Sequence, residues 1–434
     1  YLNNVNNLWC DAGASHYIGA YRGCHIRSPD GGLAVRALAF FSQDRGLEFL
    51  DTQRFERAGN YRRGFTDAAR MCLGQPEPFA LPPVDDAAVL PCPMLRKTPL
   101  DPCMWASTAT AAKTAGTPLP PAYEHAYDTI GFRDGWAADD AFLGLKGVHG
   151  GRLWQVNSIF GYTEFGARLL FGGSQTHENW YRSSITVDTS GYSSQDDFAR
   201  LEALVSSADV GLVVSTCARF NGTRWQRTVV RRRGSYFAVL DDLTALDDGD
   251  FRLTATWRVL PPGTTDGDGV FRAIAPNGTG LAIVPGGSYA CDVTRPMVDG
   301  VARPTFYRQQ RDETLGAGET VSFHNVLSAT PSGRRATVRA QTLRGGSLLR
   351  VQSPEDGTVA LVGTRELPGG AGLPTGSCAA FYLDQDLWLL GGIRELRLGS
   401  RELLRSSQPV DAVLDWASGK GQIVVRGTGT VNVV

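Results

Sequence analysis

The stretch "FRLTATWRVL", residues 251–260, decides the fold of this 434-residue chain. Apolar side chains occupy every second position, and arginine or threonine stands between them. Successive side chains of a β-strand point to opposite faces of the sheet, so the alternation predicts a strand with one face on a core and the other polar. The apolar face would consist of Phe251, Leu253, Ala255, Trp257 and Val259.

Strand patterns continue on both sides of this stretch. "RWQRTVVRRRGSYFAVLDDL", residues 224–243, predicts two strands around a glycine turn at Gly234. "TVRAQTL", "GTVALVGT", "DLWLLGG" and "GQIVVRGTGTVNVV" follow, with Gly, Asp and Pro breaks between them, and helical periodicity is scarce after residue 205. We therefore predict stacked antiparallel sheet, with a β-sandwich over residues 128–345 and a C-terminal β-sheet region over residues 346–434.

The first part of the chain has a different character. Residues 1–74 are predicted helical: "SPDGGLAVRALAFFSQ" begins with the cap-type residues Ser28 and Asp30, and apolar residues follow at helical spacing. Residues 75–127 contain 11 of the 23 prolines, as in "PCPMLRKTPLDPC". Proline removes a backbone donor and clashes with the preceding turn, so this segment is interpreted as a connector.

Composition narrows the classes of function. The net charge of -1 gives no global field for nucleic acid or an anionic membrane. No apolar run reaches the roughly 18 residues that a transmembrane helix needs. The eight cysteines form no C-x-x-C pair, which argues against a zinc ribbon, and their even number permits disulfides in an exported protein. The chain opens at Tyr1, which indicates a mature product or a piece of a longer protein.

Three stretches together carry a family resemblance. They are "AYDTIGFRDGWAADDAFLGLKGVHGG" (126–151), "HGGRLWQVNSIFGYTEFGARLL" (149–170), and "RWQRTVVRRRGSYFAVLDDLTA" (224–245) with "ATWRVLPPG" after it. In this order they resemble the heparinase II/III-type polysaccharide lyases, which join a helical toroid to an antiparallel β-sandwich. The resemblance implies an α+β multidomain chain, in which residues 1–74 are the C-terminal part of an α/α toroid and a large antiparallel β-sandwich follows.

The resemblance also implies which chemistry to look for. Such lyases cleave uronic-acid glycans by β-elimination: a base removes the C5 proton, an acid serves the leaving oxygen at C4, and the carboxylate is neutralised. The family carries a pattern close to H-G-H-x-D-x-N-S-F. At the two histidine positions of this pattern, the chain has Arg152 and Trp154. At the aspartate position it has Val156, and at the position of a later family aspartate it has Gly172. None of these four side chains suits a metal, so we expect no metal and no cofactor.

The candidate site residues follow from the same motifs. Tyr21, in "GASHYIGAYRGC", stands at the place of the family's catalytic tyrosine. A one-residue slip of the altered strand brings Asn157-Ser158 into the family's Asn-Ser register. The catalytic candidates are Tyr21, His177 and His149. The substrate-binding candidates are Arg152, Trp154, Asn157, Tyr181 and Arg182.

Two functions stay open at this point. The Tyr21 and His177 segments favour a polysaccharide lyase acting on an acidic glycan. The lost histidine and aspartate set favours a catalytically inactive, lyase-derived module for glycan binding or structure. In either case the expected partner is an acidic polysaccharide, without nucleic acid or a membrane span, and a missing N-terminal part or a second copy could associate. The expected location is secreted, periplasmic or on the cell surface.

Two further polar groups are interpreted as structural. The basic run Arg227, Arg231, Arg232 and Arg233 is most simply one end of a hairpin in solvent, and the alternative is that it lines a groove for an anionic glycan. His324-Asn325, in "VSFHNVLSA", is interpreted as the end of a sheet strand.

Overall fold

The computed structural model describes a β-protein with a single 3-10 turn, Arg344–Gly346, in its described part. The described residues are 87–91, 127–134, 139–147, 156–171, 183–190, 199–298, 301–302, 304–370, 372–416, 421–427 and 430–433. The helices predicted for residues 1–74, and with them the α/α toroid, lie outside these ranges. Within them, no helix is long and apolar enough to cross a membrane.

The first sheet has nine strands, all paired antiparallel. With strands numbered in chain order, it contains β1 (Ala87–Pro91), β2 (Tyr127–Arg133), β3 (Phe142–Lys146), β4 (Ser158–Glu164), β5 (Ala167–Phe171), β6 (Ser184–Thr189), β11 (Gly249–Val259), β15 (Ala290–Thr294) and β18 (Thr305–Leu315). Their order is β1-β2-β3-β4-β5-β11-β18-β15, and β6 also pairs with β11. The alternating stretch that predicts a strand is β11, whose apolar face is buried as expected.

The second sheet has eight strands. It contains β7 (Arg200–Ser206), β8 (Val210–Phe220), β9 (Thr223–Arg232), β10 (Tyr236–Ala245), β12 (Gly263–Thr265), β13 (Phe271–Ile274), β14 (Gly280–Pro285) and β19 (Thr320–Thr330). Their order is β12-β13-β14-β19-β10-β9-β8-β7. The predicted hairpin is β9–β10, and Gly234 has a φ of +66° in its turn, a conformation that glycine adopts without strain.

The third sheet also has nine strands, and a two-stranded ribbon of β16 (Met297–Val298) and β17 (Val301–Ala302) stands apart from it. It contains β20 (Arg339–Leu343), β21 (Leu348–Ser353), β22 (Thr358–Glu366), β23 (Pro374–Thr375), β24 (Ser377–Leu383), β25 (Leu387–Leu398), β26 (Arg401–Asp415), β27 (Gln422–Arg426) and β28 (Val431–Val433). The main path is β20-β21-β22-β24-β25-β26-β27.

The second sheet lies between the other two. One core joins it to the first sheet through residues such as Val229 and Trp257. Another joins it to the third sheet through residues such as Val230 and Leu389. Adjacent residues of β9 therefore serve different cores, and β10 is buried along nearly its whole length. The described chain is a three-layer stack of antiparallel sheets.

The strands differ from the predicted boundaries at two places. β1, the apolar run "AAVLP", lies inside the proline-rich stretch 75–127. It pairs with the edge of β2 and becomes the terminal strand of the first sheet. The third sheet begins at Arg339, before the predicted boundary at residue 346. Gly345 and Gly346 have positive φ within the β20–β21 connection, so they mark a turn inside this sheet.

Three of the cysteines fall in the described ranges. Cys217, Cys291 and Cys378 are free thiols there. The remaining five, including Cys10, Cys24, Cys92 and Cys103, lie outside the described residues.

Candidate functional site

Asn157, immediately before β4, is the only predicted site residue within the described part of the chain. It is fully buried, and its φ of +59° lies in the left-handed region, which asparagine tolerates better than most residues. Its Nδ2 donates to the Ser215 carbonyl at 3.3 Å, while its Oδ1 has no hydrogen-bond partner in the described structure. The other candidates lie outside the described residues: Tyr21, His149, Arg152, Trp154, His177, Tyr181 and Arg182.

Asn157 and Ser183 lie beside each other at the edge of the first core. The Ile159 amide donates to the Ser183 carbonyl at 3.0 Å. The Arg227 Nη1 donates to the Asn157 carbonyl at 2.8 Å and to the Ser183 carbonyl at 3.3 Å. The chain therefore re-enters the described structure at one place, from residues 148–155 on one side and from residues 172–182 on the other. Six of the eight candidates belong to these two segments.

Arg227 is held in place by Asp241, its cross-strand neighbour on β10. Nε donates to Oδ1 at 2.6 Å and Nη2 donates to Oδ2 at 2.9 Å. Trp225 Nε1 also donates to Oδ1, at 2.8 Å, and the guanidinium lies 4.8 Å from the centre of the Trp225 ring. A buried charge needs such a partner and such hydrogen bonds. Arg227 thus donates its hydrogen bonds to groups within the protein and acts as a positioning residue.

The basic run is therefore not a solvent-exposed hairpin end, and that interpretation was wrong. Arg227 and Arg231 are buried, and Arg232 is half-buried; only Arg233 is exposed. Strand alternation places Arg227 and Arg231 on the face that also carries Trp225, towards the first sheet. Each buried or half-buried arginine meets a carboxylate, namely Asp241, Asp134, or Asp356 with Asp384. The sequence feature that could have indicated a buried arginine is the aspartate pair Asp241-Asp242 on the facing strand.

Tyr127 and Ser215 complete the surroundings of Asn157. The Tyr127 hydroxyl lies 2.6 Å from the Ser215 Oγ, and its ring is fully buried. Burial raises the pKa of Tyr127 well above its usual range, so this phenol stays protonated at neutral pH. We name the set Asn157, Ser183, Ser215, Arg227 and Asp241 the Asn157 junction. Its contacts fix the two chain entries in place.

Val156, at the family's aspartate place, is part of the first core. Its side chain is buried among the apolar residues between the first and second sheets. An apolar side chain has no lone pair to offer a cation. Throughout the described ranges, no group of three or more His, Cys, Asp or Glu residues could hold a metal ion.

His324 and Asn325 are both buried in β19. His324 Nδ1 lies 3.1 Å from the Thr342 Oγ1, and burial lowers the pKa of this imidazole. Asn325 and Gln309 exchange two amide hydrogen bonds, at 2.7 and 2.9 Å. These contacts join the second sheet to the third and to the first. The two residues are in the middle of β19, so the prediction that they end a strand was wrong.

No protein-family model and no curated protein matches this chain. Among solved structures, heparinase III is 14% identical over 52% of this chain and 40% of that chain, with a TM-score of 0.42. The heparan sulfate lyase HepC from Pedobacter heparinus is 14% identical over 74% of this chain and 56% of that one, with a TM-score of 0.43. The chondroitin lyase ODV-E66, a baculovirus envelope protein, is 11% identical over 60% and 44%, with a TM-score of 0.32.

The chain spans 40% of the length of the heparinase III structure and 56% of the length of the heparan sulfate lyase structure.

Proposed function

We propose that this chain is a polysaccharide-lyase-like protein that binds an acidic, uronate-containing glycan and cleaves it by β-elimination. The observation that carries the proposal is the double contact of Arg227 with the Asn157 and Ser183 carbonyls. It brings to one place the described ends of two segments that the family resemblance singles out. Function resides in a site and not in a scaffold, so this convergence matters more than the sheet architecture.

The candidates divide into the three tasks of the reaction. Tyr21 serves as base for the C5 proton and as acid for the leaving oxygen. Arg152 and His177 neutralise the uronate carboxylate, and a guanidinium can do so through two parallel hydrogen bonds. His149 is a further catalytic candidate on the first segment.

The remaining candidates other than Asn157 bind the sugar chain. Trp154 offers an apolar ring face for a sugar ring. Tyr181 and Arg182 stand immediately before Ser183. Asn157 is buried, so it holds the end of the other segment in place and does not itself contact the sugar. The proposed location is outside the cytoplasm, either secreted, periplasmic or on the cell surface. Association with a further N-terminal part or with a second copy belongs to the same proposal.

Ultraviolet absorbance of the purified chain with a panel of uronic-acid polysaccharides tests the reaction, because β-elimination leaves a conjugated unsaturated uronate. We expect a rise in absorbance that Tyr21→Phe abolishes. Tyr17→Phe, in the same stretch of sequence, is the matched control and should retain the rise. Full cleavage by the Tyr21→Phe variant would refute the tyrosine-centred mechanism.

A glycan-binding module without catalysis is the second candidate, and the position of Val156 favours it. That side chain packs in the core where the family carries an aspartate. In this case the chain binds uronate glycans in a calorimetric titration and produces no absorbance change. A rise that is lost with a chelator would contradict both candidates, since neither includes a metal.

A further inference from the structure

A pocket of about 470 Å³ lies between the second and third sheets, on the opposite face of the second sheet from the Asn157 junction. Strand alternation separates the two places: Arg227 points towards the first sheet, and Arg224 and Gln226 point towards the third. The volume is in the range of small-ligand sites. The residues that line the pocket and carry polar groups are Glu202, Arg224, Gln226, Thr244, Arg365 and Cys378.

Arg365 is aimed at this pocket by a break in the strand pairing. The β22–β24 register shifts between Thr364 and Arg365, and Arg365 has a φ of +72°, a conformation that arginine rarely adopts. Its Nη2 donates to the Thr244 Oγ1 at 3.0 Å and to the Thr320 Oγ1 at 2.6 Å. Both partners are neutral hydroxyls, so the contacts orient the guanidinium and leave its charge uncompensated.

Arg224 supplies a second guanidinium beside the first. It is the direct cross-strand neighbour of Thr244, which in turn faces Thr320 on β19. Arg224 is exposed and makes no ion pair or hydrogen bond within the described part of the chain. Thr244 thus has Arg224 on one side and receives a hydrogen bond from Arg365. Two arginines without carboxylate partners line one pocket.

Two acids are near the guanidinium groups, and of these only Glu202 lines the pocket. The Glu202 carboxylate lies 3.3 Å from the Arg200 Nε. Asp242, buried behind the pocket, accepts hydrogen bonds from the hydroxyls of Ser322 at 2.5 Å and Thr364 at 2.6 Å. Burial raises the pKa of the Cys378 thiol to about 12, so this group is uncharged at neutral pH. The pocket lining therefore carries two guanidinium groups and the single carboxylate of Glu202, which is a surplus of one positive charge.

The same wall offers groups for neutral oxygens. Gln226 Nε2 donates to the Ala379 carbonyl at 3.2 Å, which fixes the amide and leaves its oxygen to accept from a ligand hydroxyl. The Thr244 hydroxyl accepts from Arg365 and lies 2.8 Å from the Thr320 Oγ1, so it has capacity for one more hydrogen bond. A ligand that suits these groups carries one oxyanion and several hydroxyls.

We propose that this pocket binds a monosaccharide-sized sugar acid, with its carboxylate or sulfate between Arg224 and Arg365 and its hydroxyls on Gln226 and Thr244. Guanidinium groups recognise planar oxyanions through paired hydrogen bonds, which gives geometry as well as charge. This site is separate from the Asn157 junction. It does not depend on β-elimination, because its ligand binds on the other face of the second sheet.

Calorimetric titration of the full chain with D-glucuronate, glucose 6-sulfate, glucose and inorganic sulfate tests the proposal. These probes contain no glycosidic bond, so a failed cleavage assay and a failed titration are distinct results. We expect millimolar binding of at least one sugar acid and no binding of glucose. Binding of glucuronate alone assigns the site to carboxylates, and binding of glucose 6-sulfate alone assigns it to sulfate esters.

Variants locate the binding within the molecule. Arg224→Ala should weaken binding at least about tenfold, and since this side chain is exposed and unpaired, the variant should fold normally. Arg365→Ala should have a similar effect. Arg252→Ala, which removes an exposed arginine on the first sheet, is the matched control and should bind as the parent does.

Three outcomes would overturn the proposal. Equal binding of glucose and glucuronate would show that the arginines do not select the ligand. Unchanged binding by Arg224→Ala would place the ligand elsewhere. Binding of inorganic sulfate without either sugar acid would mean an adventitious ion only.

Discussion

Arg227 and Asp241 face each other across β9 and β10 and form a two-point ion pair, with distances of 2.6 and 2.9 Å, in the core between the first and second sheets. Neither side chain is accessible to solvent to more than 1%. The pair also carries the two carbonyl contacts that join Asn157 to Ser183. One buried arginine thus links the interior of the sandwich to the place where the candidate segments enter it.

Removal of one member of this pair should destabilise the fold strongly. Arg227→Ala leaves the Asp241 carboxylate buried without its cation, and such a change costs about 3–5 kcal/mol of the free energy of unfolding. Urea denaturation at neutral pH measures the loss. The double variant Arg227→Met with Asp241→Leu removes both charges and keeps apolar volume, so we expect it to be more stable than the single variant. A single variant within about 1 kcal/mol of the parent would contradict this account.

The sequence predicted the strand β11 because its apolar residues alternate with threonine and arginine. The apolar face joins the first core, although Thr254 and Thr256 on the other face are buried as well. The three-layer stack could not be predicted in the same way. β8 and β10 are buried on both faces, and a continuous apolar run does not state which sheet covers the second face. The register of the strands decides which sheet covers that face. Register depends on turns such as the one at Gly234 and on contacts between residues distant in sequence.

Only part of the candidate site could be predicted from the sequence. Motif spacing identified Asn157, which the structure places at a junction of two chain entries. It could not identify Arg227 as buried, because an arginine in a strand ordinarily faces solvent. Only the pairing of β9 with β10 brings Asp241 opposite to it.

Glu164 should make stability depend on pH. Burial raises the pKa of Glu164 from 4.5 to about 7, even though the Tyr162 hydroxyl donates a hydrogen bond to its carboxylate. The unfolded chain therefore releases this proton at a lower pH than the folded chain does. Between about pH 4.5 and pH 7 the folded state binds more protons, so its stability falls as pH rises and levels off above about pH 7.

Glu164→Gln should remove this dependence, because the neutral amide can still accept the Tyr162 hydrogen bond. Relative to the parent, the variant should gain up to about 3 kcal/mol between pH 5 and pH 8, since one pKa unit corresponds to roughly 1.4 kcal/mol. Urea denaturation at several pH values measures the difference. Glu319→Gln is a control at an exposed carboxylate, which accepts a hydrogen bond from the Gly316 backbone amide at 2.8 Å. A constant difference between Glu164→Gln and the parent across this range would refute the prediction.

A comparison of glycine and alanine variants at position 365 should reveal the cost in folding free energy of the left-handed backbone there. Both Arg365→Gly and Arg365→Ala delete the hydrogen bonds to Thr244 and Thr320, so the two variants differ mainly in backbone freedom. At a φ of +72° a Cβ atom costs roughly 1 kcal/mol, which glycine does not incur.

We therefore expect Arg365→Gly to be more stable than Arg365→Ala by about 1 kcal/mol in urea denaturation. Arg350, within β21, provides the matched comparison, because it is not among the positive-φ residues of the described chain. There the order should reverse, with glycine less stable than alanine by roughly 0.5–1 kcal/mol, since glycine loses more conformational freedom on folding. The same order at both positions would show that the bulge does not hold Arg365 in the left-handed region. The structural reason for its aim at the pocket would then be lost, and Arg224 alone would have to account for any selective anion binding there.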